Sequence, residues 1–281
     1  MATKKDSSKR KSRRQRRKQN TRRKVIRYSL FAIASYIVFL IATFPASLAV
    51  SMITSNPDLQ NKLKISAVSG TVWSGSAASV RVSGVNLGKV KWELSFLPIL
   101  IGDISSYVNF KNTSTSASNI SGSGTIVATL GGNLLLEDFS AAFPVDALTP
   151  FMYGMPARFS GDVRLHIDEM ELEPGKRINL KSKINVANAG LSSPQKITYG
   201  DIIIKSNPKD AGSQLVLNDQ GGPLILDGNI KIKGNGVYNI NLAMGARDTA
   251  SKDLENGLRF LGRRDSTGKY QYRSNGKFQN W

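Results

Sequence analysis

The sequence predicts a mainly β protein: one N-terminal transmembrane helix, then an elongated, strongly curved antiparallel β-sheet domain, an incomplete barrel or a sandwich, with one or two short helices. Three observations lead there. Tyr28 to Met52 carries no charged residue, and a helix rising about 1.5 Å per residue needs roughly 20 apolar residues to cross a hydrocarbon core. Beyond Pro57, apolar and polar residues alternate over short windows that end at Gly, Asn, Asp or Pro, the pattern of half-buried strands. Glycines recur where strands should bend, at Gly122 and Gly124, Gly131 and Gly132, and Gly221 and Gly222, which favours curvature.

The 281 residues carry a formal charge of +19, which suggests a nucleic-acid binder until its location is read. Fourteen Lys and Arg fall within residues 1–27 against Asp6 alone, leaving only +6 on the remaining 254 residues. Such a block repels itself, has little apolar surface to bury and reads as a disordered arm. It holds no aromatic residue before Tyr28, and so no stacking platform; no nucleic acid partner is expected. Basic residues flanking a first span are retained in the cytoplasm and attract anionic lipid. Three segments follow: a cytoplasmic arm over 1–27, a transmembrane helix over 28–53 and an exported all-β domain over 54–281. Ser47, Leu48 and Ala49 also form a small-x-small signal-cleavage site. Against cleavage stand the length of the uncharged stretch and that of the basic region.

The chain has no cysteine, so neither disulfides nor thiolate metal sites hold the exported domain, and packing must. Its strands are read in order. Leu63, Ile65 and Ala67 alternate with lysines and Ser66; Val90, Trp92 and Leu94 point opposite to Lys89, Lys91 and Glu93; Ile178, Leu180, Ile184 and Val186 repeat the pattern. Asn112 to Ser121 is a polar, exposed loop. Ile230 and Ile232 face Tyr238, Ile240 and Leu242 across Gly234, Asn235 and Gly236, a hairpin turn that tolerates positive φ. Two short helices are expected: a turn over Asp146 to Met152, broken by Pro150, and Ser251 to Leu261, with Leu254, Leu258 and Leu261 on one face and Gly262 at the cap.

Chemistry is sparse. The single histidine, His166, shares a polar strand face with Asp162, Arg164 and Asp168, but neighbours on one face are nearly 7 Å apart and do not converge without another strand. No nucleophile elbow, phosphate loop, dinucleotide fingerprint or zinc-spaced pair occurs. Adjacent acids such as Asp168 and Glu169, or Glu171 and Glu173, read as solvated. No catalytic, cofactor-binding or metal-ligating residue is assigned, and an enzyme is not expected.

One segment carries more. Val68 to Ala77 reads Val-Ser-Gly-Thr-Val-Trp-Ser-Gly-Ser-Ala, followed by Gly88, Lys89, Val90, Lys91, Trp92, Glu93, Leu94 and then Leu97 and Pro98. Trp73 and Trp92 read as apolar anchors on neighbouring strands, with Gly70, Gly75 and Gly88 permitting tight turns or close backbone approach. With the closing run Leu258, Leu261, Gly262, Gly268, Tyr270, Tyr272 and Gly276, the chain resembles the protein N family of the bacterial type II secretion system from the span to the C terminus. The residues that carry the resemblance are Gly70, Val72, Trp73, Gly75, Gly88, Trp92, Leu94 and Pro98. It implies a non-enzymatic accessory component, single-pass in the cell inner membrane, whose periplasmic domain supports assembly or partner contacts for export of folded proteins. The implied partners are other secretion-system proteins and inner membrane lipids. The long basic arm departs from the family's usual short cytoplasmic tail. The one-sided apolar strands admit an alternative, a membrane-anchored carrier or bridge for lipid or another hydrophobic ligand in an apolar groove.

Overall fold

The computed structural model describes residues 27–60, 62–112, 119–152, 157–173, 177–209, 212–233 and 235–277. The basic arm expected over 1–27 lies outside them apart from Arg27. Two compact units divide the chain, 1–45 and 46–281. In the first, helix α1 (27–42) is apolar all round: Phe31, Ile33, Tyr36, Val38 and Phe39, which point in different directions about the axis, are each more than half exposed. It ends at Thr43, whose amide and hydroxyl both donate to the Phe39 carbonyl, at 3.0 and 2.8 Å. Pro45 has no N–H to continue the ladder and disfavours helical backbone at Phe44. The single helix expected over 28–53 is thus broken in two. Among the described residues no helix is long and apolar enough to cross a membrane.

The second unit opens with α2 (Ala46–Thr54) and α3 (Pro57–Gln60). Thirteen strands follow: β1 (Leu63–Gly70), β2 (Ser74–Val82), β3 (Val85–Ser95), β4 (Ile104–Lys111), β5 (Ser121–Ala128), β6 (Leu134–Pro144), β7 (Arg158–Glu173), β8 (Arg177–Ser193), β9 (Ile197–Lys209), β10 (Gly212–Asp219), β11 (Leu224–Lys233), β12 (Val237–Ala246) and β13 (Tyr270–Lys277). Each pairs only with its neighbours in sequence, so the strands form one antiparallel meander with β1 and β13 at its two ends; α2 and α3 pack against β1. It is a single open sheet in place of a sandwich. The alternation of ends follows: connections after odd-numbered strands lie at the far end, and those after even-numbered strands lie at the end where the chain enters from α3.

Register explains the alternation in the sequence. One lateral row runs Val68, Ala77, Val90, Phe110, Gly122 and Ala141 across β1 to β6, then Leu165, Ile184, Ile204, Leu217, Gly228, Leu242 and Tyr272 across β7 to β13. No member is charged. The row one residue away reads Ser69, Ser76, Lys91, Asn109, Ser123, Ser140, His166, Lys183, Lys205, Val216, Asn229, Asn241 and Arg273, polar except for Val216. An antiparallel sheet with one packed and one wet face requires this division. Register shifts between β2 and β3, β5 and β6, β7 and β8, and β8 and β9 mark bulges, which bend strands locally.

Short helical pieces cover parts of the apolar face. A 3-10 helix (Val145–Phe151) contains Pro150, as the sequence indicated. Helix α4 (Phe96–Ile99) links β3 to β4. Helix α5 (Lys252–Arg259) is capped by the Ser251 hydroxyl, which accepts from the Leu254 amide at 3.2 Å, and buries Leu254 and Leu258; such a cap is worth about 1 kcal/mol. Two apolar clusters result. One joins α5 to Ile197, Leu224, Leu226 and Tyr270; the other joins Ala77, Val80, Val90, Phe110 and Ile120. Ile120 corrects the loop expected over Asn112 to Ser121: residues 113–118 lie outside the described set, but Ile120 is 5% exposed and its carbonyl accepts from the Asn112 amide at 2.7 Å. The 229–243 hairpin forms with the expected pairs, Ile230 with Ile240 and Ile232 with Tyr238; Gly234 in its turn lies outside the described residues.

Candidate functional site

The glycine and tryptophan residues meet at the far end of β1, β2 and β3. Gly70 ends β1 with φ +91°, a conformation that residues with a Cβ rarely adopt. The chain then turns through Val72 and Trp73 into β2, so Trp73 occupies the turn and not a strand, contrary to the reading of two strand anchors. Trp92, on β3, lies directly over Gly75: a Cβ there would come within 2.4 Å of the indole ring. The Trp92 indole N–H donates to the Val72 carbonyl at 3.1 Å, and the Leu94 amide to the Trp73 carbonyl at 2.7 Å. The ring of Trp73 meets Phe96 with centroids 5.7 Å apart. Pro98 sits in α4, its carbonyl accepting from Ile101 and Asp103. Gly88 stands apart from this corner, towards the entry end, with φ +72° and the Asn112 backbone against it. The structure therefore gathers all the motif residues but Gly88 at the far end of β1 to β3 and in α4.

Beside this corner the far end is apolar and open. Leu97, Leu100 and Ile101 are 75, 68 and 75% exposed, and Leu130 on the β5–β6 turn is 82% exposed. Leu130 and Gly102 are adjacent: a Cβ on Gly102 would overlap the Leu130 side chain. The two connections thus form one tip. Contiguous exposed apolar surface of this kind marks contact sites.

The polar face carries an arrangement that sequence spacing could not reveal. His166 Nδ1 lies 2.9 Å from Ser140 Oγ on the neighbouring strand β6, and its Nε2 lies 3.1 Å from Asp168 Oδ1. Lys181 on β8 lies 3.6 Å from the other Asp168 oxygen. The other strand that convergence required is supplied by β6 and β8. A Ser–His–Asp contact has the ingredients of a nucleophile and base, but hydrolysis also needs preorganised donors for an oxyanion and shelter from water. Here Ser140 is paired in the ladder on both sides, with Ser123 and His166, and the His166 and Asp168 side chains are about half exposed. Among the described residues no group of three His, Cys, Asp or Glu could hold a metal ion.

On the opposite face lies a cavity of about 640 Å³ at the entry end. Its floor is the ends of β7 to β9 and of β11 to β13, and its walls are Val145 and Met152 at the 3-10 helix and Leu254, Gly257, Leu258 and Leu261 of α5 and its continuation. Of the lining residues only Ser160, Tyr199 and Tyr272 carry a hydroxyl, and none is charged. Burial pushes the Tyr199 phenol up from its ordinary range.

A clamp holds the cavity wall. Asp219, at the end of β10, accepts from the Leu226 amide at 2.9 Å, the Gly221 amide at 3.1 Å and the Arg247 guanidinium. Arg247 also donates to the Gly222 and Leu224 carbonyls, both at 2.8 Å. Burial alone would raise the Asp219 pKa, but the hydrogen bonds and the Arg247 charge together outweigh it and hold the carboxyl below its usual range. Asp265, in the turn before β13, is held well below that range by donors from Thr267, Gln271 and Lys269.

The family model described as Type II secretion system (T2SS), protein N, matches residues 61–273, a range that takes in β1 to β12 and the first part of β13. A protein named Type II secretion system protein N from Aeromonas hydrophila is 24% identical over 260 residues, covering 91% of this chain and 99% of that relative. One of the same name from Vibrio cholerae serotype O1 is 20% identical over 257 residues, with the same two shares. No solved structure matches the chain.

Proposed function

The chain belongs to the type II secretion system protein N family, and on that premise we propose that it is a non-enzymatic accessory component, anchored in the inner membrane, whose periplasmic β-domain makes contacts that support export of folded proteins. The observation that carries this is the extent of the match: it spans the sheet from β1 into β13, so what is shared with the family is the whole scaffold. Anchoring is supported by the uncharged stretch from Tyr28 to Met52 and by the all-round apolar surface of α1, which lacks the polar face that a helix lying on a soluble protein presents. The fourteen basic residues before Tyr28 favour a cytoplasmic N terminus. Contact with partners is supported by the apolar tip and by the β13 end of the sheet, an edge at which a strand can be added.

Photo-crosslinking in cells tests the contact. A photoreactive residue at Leu97 or Ile101 is expected to capture another type II secretion component, while one at Lys205 on the polar face is not. Equal capture from both faces, or none from the tip, would remove the tip from the proposal. A second reading, a carrier of a hydrophobic ligand, is favoured by the apolar cavity under α5.

A further inference from the structure

We propose that the cavity between the 3-10 helix and α5 binds one alkyl chain of a membrane lipid or fatty acid, with the polar head left in water at the mouth. This deepens the hydrophobic-ligand reading and rests on it. Ile197, Leu224, Leu226, Leu254 and Leu258 form the inner wall, each less than a tenth exposed. The mouth is marked by the exposed lining residues Phe159, Gly257 and Tyr272.

The chemistry of the wall selects the occupant. A peptide strand would bring N–H and C=O groups that each need a partner when buried, and the lining offers three hydroxyls and no charge. An alkyl chain brings no such groups. The volume of about 640 Å³ falls within the range of about 300–1,000 Å³ for sites that take one small ligand. Two turns of a partner helix, about 10 Å across and 11 Å long, would exceed it. The cavity is also continuous with the apolar row of the sheet, since Leu242 and Tyr272 belong to both. Anchoring through the uncharged segment Tyr28 to Met52, as proposed above, would keep the chain where acyl chains are abundant.

The test uses the full chain reconstituted in vesicles of phosphatidylethanolamine and phosphatidylglycerol. One arm includes a phospholipid with a diazirine near the end of its acyl chain, and the other a diazirine fatty acid; the comparison distinguishes the two sources. After irradiation, adducts are expected on peptides containing Leu226 and Leu258 at a level about tenfold above those containing Lys205 or Val216, the ratio of a 1.4 kcal/mol preference. Gly257→Leu fills the mouth: a Cβ at Gly257 meets no atom within 4 Å, and leucine is the better helix former. It should abolish cavity adducts without lowering the melting temperature. Met152→Glu, on the opposite wall, is an independent variant with the same expectation. Cavity labelling no higher than on the polar face, labelling that survives both variants in folded protein, or peptide adducts replacing lipid adducts would overturn the alkyl chain. Binding of the apolar dye anilinonaphthalene sulfonate separates this from the broader reading. Dye that binds and is lost in Gly257→Leu, without acyl labelling, overturns the alkyl chain and leaves a hydrophobic site. Dye that is indifferent to Gly257→Leu, together with absent labelling, removes both.

Discussion

Trp92→Ala is expected to lower the unfolding free energy by about 3 kcal/mol, the low end for truncating a tryptophan because the ring is only half-buried. The loss combines packing against the cluster of Val90, Phe110 and their neighbours with the indole hydrogen bond to Val72, whose carbonyl ties down the β1–β2 turn. Gly75→Val attacks the same contact from the other side. Its Cβ would press into the indole ring at 2.4 Å and against the Ser69 carbonyl at 2.9 Å, and overpacking of this kind costs about 1–3 kcal/mol. In the Trp92→Ala background the ring is gone and, of the three nearest atoms, the Ser69 carbonyl oxygen alone remains. The double variant should therefore be more stable than the sum of the two losses predicts, by at least about 1 kcal/mol, measured by urea unfolding of the purified protein. Strict additivity would mean that Gly75 and Trp92 do not form the joint that holds the far end of β1 to β3.

Asp219→Asn should cost about 2–3 kcal/mol at neutral pH: less than a fully buried ion pair because Arg247 is 37% exposed, more than a surface pair because Asp219 is 11% exposed. The amide loses one charge and one acceptor, leaving either the β11 amide of Leu226 or the guanidinium poorly served. The pH dependence has a definite sign. A carboxyl whose folded pKa lies below its unfolded value of about 3.9 stabilises the fold fully above that value and loses its contribution as pH falls through the folded pKa. Asp219 is depressed in this way, so the gap between wild type and Asp219→Asn should be constant from pH 7 to about 5 and shrink below about pH 4. A gap that widens on acidification would contradict the assignment. Asp265, also depressed, adds acid sensitivity of the same sign to both proteins and so cancels in the comparison.

Much of the fold was legible because a half-buried antiparallel sheet writes its two faces into the chain at a period of two. The alternations at Leu63, at Val90 and from Ile178 to Val186 became β1, β3 and β8, and the leucine spacing at 254 and 258 became α5. What was not legible depended on register or on long-range docking. Ser140 meets His166 because β6 and β7 pair in one alignment of several, and Asp219 meets Arg247 across 28 residues. The leucines of α5 announced a buried face, but nothing local stated that it would roof β9 to β13 and leave a cavity. Trp73 was misplaced for a local reason: the positive φ at Gly70 ends the strand before it. The helix break at Thr43–Pro45 was visible as Pro45, but the absence of charge on both sides concealed it.

The most direct measurement is secretion itself in cells lacking this gene, scored as the fraction of a type II substrate reaching the medium. Secretion should fall in the deletion and return with the full chain. It should return equally with the Ser140→Ala, His166→Ala double variant, because both side chains lie on a wet sheet face where such changes alter stability by less than about 0.5 kcal/mol each. Undiminished secretion of every type II substrate in the deletion would contradict an accessory role in export, and failure of the folded double variant to restore it would contradict a non-enzymatic one.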